Sequence, residues 1–193
     1  LKKQSPQSNN YLLMHFSGEE LGLMGSKYWL ENPTTTISSN YMINMDMVGR
    51  MNDSSKTITV GGYGTSSSWN KMISAIDKKD FSIKTDSSGS GPSDHTSFYR
   101  KDIPVLFFFT GLHTDYHKPS DDADKINYVG MFKIIRFIEL LIRNDKSGSR
   151  IDFLKTRDQQ KNAVPLNYEE WLKMAFGETF YQEFPKAYTR KYW

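Results

Sequence analysis

Two adjacent carboxylates, Glu19 and Glu20, directly follow the apolar run Tyr11 to Phe16 and a Ser17-Gly18 break. Holding both there is unfavourable unless something binds or protonates them. Neighbouring side chains face different partners, so one can ligate a metal while the other takes a proton from water. The plainer account is the solvated first turn of a helix, where acidic residues are favoured. Asp46 stands among apolar residues at a strand end in Tyr41-Met42-Ile43-Asn44-Met45-Asp46-Met47-Val48-Gly49. Taken alone, it reads first as a cap on the following turn. His117 lies in Thr114-Asp115-Tyr116-His117-Lys118-Pro119-Ser120-Asp121, a polar loop beyond a buried run. From there it can reach a metal, with Asp121 accepting from its other ring nitrogen; taken alone, it reads as a solvated loop residue. In Gly91-Pro92-Ser93-Asp94-His95-Thr96-Ser97-Phe98, an Asp-His pair precedes a helix. Either Ser93 or Asp94 caps that helix, or the pair walls the site and braces its ligands.

The elements that must position these residues follow from periodicity. Tyr11 to Phe16, Ser38 to Met47, Lys56 to Val60, Phe81 to Thr85 and Ile103 to Phe109 are strand-sized. The last carries no polar side chain and is expected to be fully buried, with Pro104 tolerated at its start. His15 falls inside the first run, so it is expected in the core or behind the site. Helices are expected over Leu21 to Leu30, Ser66 to Lys78, His95 to Lys101 and Ile126 to Arg143. Gly22 and Gly25 permit close packing of the first, and Pro33 marks its exit. Val129, Phe132, Ile135 and Ile138 share a face of the last. Strands alternating with helices argue for an α/β sheet covered on both faces, with chemistry in the loops beyond strand ends.

The 193 residues are enough to bury a core as one domain. No run of roughly 18 apolar residues is present, so no membrane span is expected. With 25 Lys+Arg against 22 Asp+Glu the charge is nearly balanced, and the basic residues form no block. The mildly basic, aromatic tail (Lys186, Arg190, Lys191) has no nucleic-acid motif beside it, so no nucleic-acid partner is expected. The absence of cysteine excludes disulfides, thiolate metal sites and a cysteine nucleophile. Gly61-Gly62-Tyr63-Gly64 is too short and badly spaced for a dinucleotide loop, and no phosphate-binding lysine follows.

Ser-Gly-Glu-Glu-Leu-Gly-Leu-Met-Gly-Ser, Asn-Met-Asp-Met-Val-Gly, Ser-Asp-His with its apolar strand, and Tyr-His-Lys-Pro-Ser-Asp follow one another in this order over about residues 11 to 142. Jointly they resemble the secreted-type di-zinc aminopeptidase family, whose relatives include glutamate carboxypeptidases and glutaminyl cyclases. The resemblance implies a three-layer α/β/α fold with a mixed, mostly parallel sheet. It implies a metal-dependent exopeptidase that removes N-terminal residues from peptides, using two zinc ions and zinc-activated water. By position, Glu19 is implied as general base and acid. Glu20 and His117 are implied as ligands of one zinc, and Asp46 of the second. Asp94 and His95 are implied to line or brace the site, and Asp121 to orient His117. A secreted or periplasmic location is implied by the resemblance alone.

The family supplies a further histidine and a bridging aspartate ahead of the Glu-Glu pair, and this chain contains neither. Residues 1 to 149 are therefore expected to be the C-terminal portion of a catalytic domain whose N-terminal segment completes the site. Residues 150 to 193 are expected to be an aromatic extension packed on it, with a helix over Tyr168 to Phe176. Three other readings stay open. A carboxypeptidase would need a cation for the substrate carboxylate, with Arg50 and Arg100 available. The others are a glutaminyl-cyclase-like relative and a non-catalytic binding module on the same fold.

Overall fold

A computed structural model describes residues 10–34, 36, 38–145 and 150–156. Four strands, β1 (Met42–Asp46), β2 (Thr57–Gly61), β3 (Ser82–Thr85) and β4 (Val105–Phe109), form one sheet in the order β1-β4-β2-β3. The β1·β4 and β2·β3 pairs are parallel, and β2·β4 is antiparallel. The sheet is thus mixed and mostly parallel, as the resemblance implied. β4 runs through its middle, which explains its unbroken apolar sequence: Val105, Leu106 and Phe108 are fully buried.

Helices cover both faces. On one lie α2 (Ser68–Ser74) and α4 (Tyr128–Arg143). Their Trp69, Met72, Ile73, Ile134, Phe137, Ile138 and Leu141 pack on Ile58, Val60, Leu106 and Phe108 of the sheet. On the other lie α1 (Met24–Glu31) and α3 (His95–Tyr99), where Trp29, Leu30, Phe98 and Tyr99 surround Met42, Ile103 and Val105. Each fully buried side chain of this size contributes about 1.5–3 kcal/mol. No helix among the described residues is long and apolar enough to cross a membrane.

Three expectations need correction. Tyr11 to Phe16 forms no strand. Met14 and Phe16 do reach the core, but Leu12 and Leu13 stay exposed and the run has no ladder partner. His15, expected in the core or behind the site, is exposed for the same reason. On α4 the face turned inward is Gly130, Ile134, Phe137, Ile138 and Leu141, whereas Val129, Phe132 and Ile135 face out. That helix carries apolar residues on two sides, so periodicity alone does not choose the side that meets the sheet.

The chain after α4 is built into this frame. Ile151 joins the main core. The Asp152 carboxylate accepts from Ser66 Oγ at 2.7 Å and from the Ser67 backbone N–H at 3.1 Å, just ahead of α2. These bonds, the Ser66 hydroxyl foremost, hold its pKa down to about 2. The expected helix over Tyr168 to Phe176 and the basic tail lie outside the described residues.

Candidate functional site

β1 and β4 are parallel and in register, Asp46 opposite Phe109, so both deliver their following loops to one edge of the sheet. Asp46 ends β1, and the loop after β4 carries His117. The Glu19-Glu20 pair comes from a tight turn before α1. Gly18 and Gly22 take positive φ of 64° and 101°, and the Gly22 and Leu23 amides both donate to the Glu19 carbonyl, at 3.0 and 2.8 Å. The helix begins only at Met24, so the pair does not sit in a helical first turn. Gly25 then packs against this turn, its amide donating to the Ser17 carbonyl at 2.9 Å.

The structure joins Glu20 and His117, residues 97 apart in sequence, with Nε2 and Oε1 2.7 Å apart. Tyr116 stacks on the His117 ring at 3.9 Å. Glu19, Asp46 and Asp94 lie close enough to feel one another's charge. Burial, followed by repulsion from Glu20, Asp46 and Asp94, pushes the Glu19 carboxyl up to about 8. Burial likewise raises Asp46, opposed by a hydrogen bond from Ser93 and reinforced by Glu20 and Asp94. Burial raises Asp94 as well, against a hydrogen bond from Ser26. One Asp94 oxygen, Oδ1, is buried without a hydrogen-bond partner in the structure. Repulsion of this kind is relieved by protonation or by a cation.

Neither Ser93 nor Asp94 caps α3 through its side chain. Ser93 instead accepts from Asn44 Nδ2 at 2.7 Å and bonds Asp46, tying the α3 segment to the end of β1. His95 is buried and stacks on Phe107 at 4.3 Å, nearly parallel. Its Nδ1 has no hydrogen-bond partner, and burial drives its pKa down to about 3. This sets a sign for acid stability. Between about 6.5, the ordinary value, and about 3, the unfolded chain binds a proton at His95 that the folded chain refuses. The stabilisation is complete above that range and is lost as pH falls through it, with a slope of at most about 1.4 kcal/mol per pH unit. His95→Phe keeps the stacking and removes the proton. Its unfolding midpoint in a circular-dichroism titration is expected at lower pH than wild type, and an unchanged acid limb would refute this assignment.

Asp121, which the resemblance set beside His117, directs its carboxylate to Arg50 and lies 3.7 Å from His113 Nε2. Two groups here were not singled out from sequence. Asn44 is two residues before Asp46 and on the same side of β1, a strand-period signal. His113 was visible only as a second loop histidine; both ring nitrogens are buried without a hydrogen-bond partner, and burial, then Arg50, lowers its pKa.

Among the described residues no three His, Cys, Asp or Glu side chains converge as a metal-holding group. The donor chemistry nevertheless suits zinc: a carboxylate and an imidazole meet at Glu20 and His117, and Asp46 and the unpartnered Asp94 oxygen add uncompensated negative charge beside them. The fit is thus one of donor type, with two donors already paired.

A family model described as Peptidase family M28 matches residues 1–141. The chain belongs to Peptidase family M28. Aminopeptidase YwaD of Bacillus subtilis (strain 168) is 27% identical over 135 residues, covering 65% of this chain and 30% of that protein. The LapA aminopeptidase of Legionella pneumophila superposes with a TM-score of 0.54 at 24% identity, over 67% of this chain and 37% of that one. BSAP, described as a zinc aminopeptidase from Bacillus subtilis, gives 0.53 at 22% identity, over 71% of this chain and 37% of that one. The two structures agree on the α/β fold. This M28 chain spans about a third of the length of these relatives, 30% to 37%.

Proposed function

We propose that this M28 chain supplies the base and part of the metal site of a zinc-dependent aminopeptidase. The observation that carries the reading is the closeness of Glu20, Asp46 and Asp94 to Glu19, whose carboxyl burial and those three carboxylates hold up to about 8, together with the contact of Glu20 with the His117 imidazole at 2.7 Å. Such a group is complementary to cations. Glu20 and His117 are the ligands of one zinc, and Asp46 of a second. Two zinc ions need further ligands beyond these three. Zinc, when bound, supplies a Lewis acid that polarises the scissile carbonyl.

The side chains here do the rest. Glu19 takes a proton from the attacking water as its oxygen adds to the carbonyl carbon. When the C–N bond breaks, Glu19 returns that proton to the departing amine nitrogen. The free ammonium of a peptide N-terminus matches the negative charge left at Asp46 and Asp94, which favours removal of N-terminal residues. A carboxypeptidase would need a free guanidinium for the substrate carboxylate. Arg50 is shared between Asp115 and Asp121, and Arg100 stands exposed at the end of α3.

The test uses the longest natural form of the protein. Zinc content is measured, and hydrolysis of an aminoacyl-p-nitroanilide is compared with that of its N-acetylated counterpart. Bound zinc with cleavage of the free-amine substrate alone is expected. Absence of zinc together with absence of hydrolysis would sink the reading, and equal cleavage of both substrates would overturn the exopeptidase part of it.

A further inference from the structure

Glu20, Asp46 and His117 arrive on three separate segments, and something must set their separation. Arg50 lies four residues after Asp46, on the single helical turn Val48–Arg50 that follows β1. Its Nη2 donates to Asp115 Oδ2 at 2.8 Å, and its Nη1 donates to Asp121 Oδ1. Asp115 precedes His117 by two residues and Asp121 follows it by four. One guanidinium therefore grips the histidine loop on both sides of the histidine. Asp115 also accepts from Lys125 Nζ at 2.8 Å and from Ser120 Oγ at 2.7 Å, which closes the loop on itself.

Two further observations give this grip a purpose. His117 has φ of 54°, a left-handed conformation that a non-glycine residue holds only when its surroundings impose it. The Arg50 and Asp115 side chains are only 17% and 16% exposed, so the pair is better shielded than an ordinary surface ion pair. The planar fork of arginine reaches two carboxylates in fixed geometry, which an ammonium does not reproduce.

We propose that Arg50 is a positioning residue: its bonds to Asp115 and Asp121 hold His117 against Glu20 and so build the ligand pair. The inference rests on the zinc reading above and deepens it. Arg50 touches neither the reacting atoms nor Glu20; it acts through the loop.

The full-length protein is prepared metal-free as wild type, Arg50→Gln, Arg50→Lys and Asp121→Asn. Amide exchange is followed by mass spectrometry in peptides covering 111–125 and 103–109, and zinc affinity is measured by competition with a chromophoric chelator. In Arg50→Gln, exchange in 111–125 is expected to rise while 103–109 is unchanged. Zinc affinity is expected to fall about 10–100-fold, the usual effect of losing a supporting group behind a ligand. Arg50→Lys should recover only part of the loss. Asp121→Asn, which removes one arm alone, should lie between wild type and Arg50→Gln. Unchanged exchange in 111–125 overturns the positioning role whatever zinc does. Faster exchange in both peptides means general destabilisation and also overturns it. A loosened loop with wild-type zinc affinity breaks the link to the ligand pair. A wild-type protein that binds no zinc overturns the zinc reading itself, and this inference with it.

Discussion

Glu19→Gln in the longest natural form is expected to lower kcat by about 10²–10⁴-fold, the range for removing a general base, while zinc content and KM change little. The substitution keeps shape and volume and removes only the capacity to take up and return a proton. The two glutamates differ in surroundings: Glu20 is the residue on His117, whereas the Glu19 carboxyl is raised to about 8 by burial and by Glu20, Asp46 and Asp94. A second readout does not depend on turnover. In the metal-free protein the folded state keeps a proton on Glu19 from the ordinary value, 4.5, up to about 8, a window in which the unfolded chain has lost it. The folded pKa is raised, so the stability this group contributes is fully present below about 4.5 and is lost as pH rises through about 8. Glu19→Gln should flatten that limb. A variant with near wild-type kcat would remove Glu19 from the base role. A variant that loses its zinc would instead make it a ligand.

The sequence was most legible where a local pattern decides local structure. The four strands of the sheet and the helices on both faces follow from apolar runs and turns, and β4 announces its central place by lacking any polar side chain. Partnership was less legible, because periodicity states which residues want burial but not what covers them. Tyr11 to Phe16 has a strand's composition, yet a strand exists only where a neighbour completes its ladder. The face of α4 failed for the same reason, since Phe132 and Phe137 are equally apolar and only Phe137 meets the sheet. Within the site, the family resemblance pointed to Glu20 and His117 together. It could not show that Arg50, four residues past Asp46, would claim Asp121. Ser93 resembled a helix cap and serves Asn44 and Asp46 instead, because α3 lies directly beneath the end of β1.

The second large effect is expected at a residue with no functional group. A Cβ at Gly25 would lie 2.6 Å from the Ser17 carbonyl oxygen, 2.8 Å from the Ser17 nitrogen and 3.2 Å from Phe16 Cβ. Two of these are backbone atoms that no rotamer change can move. They belong to the chain that enters the Glu19-Glu20 turn, so relief of the clash must shift that turn or the start of α1. Gly25→Ala is therefore expected to cost about 1–3 kcal/mol of stability, as overpacking does. It should also lower kcat/KM about 100-fold, the penalty for displacing a positioned group by about 1 Å. Gly22→Ala separates the two mechanisms. A Cβ there meets nothing within 4 Å, but φ is +101°, so that variant is strained without a collision. Denaturant unfolding and steady-state kinetics on both variants check the distinction. Both should lose stability, and Gly25→Ala should lose far more activity per unit of stability lost. If the two lose activity in proportion to stability, the collision at Ser17 does not set the position of Glu19. If Gly25→Ala keeps wild-type kcat, the turn accommodates the methyl without moving its carboxylates.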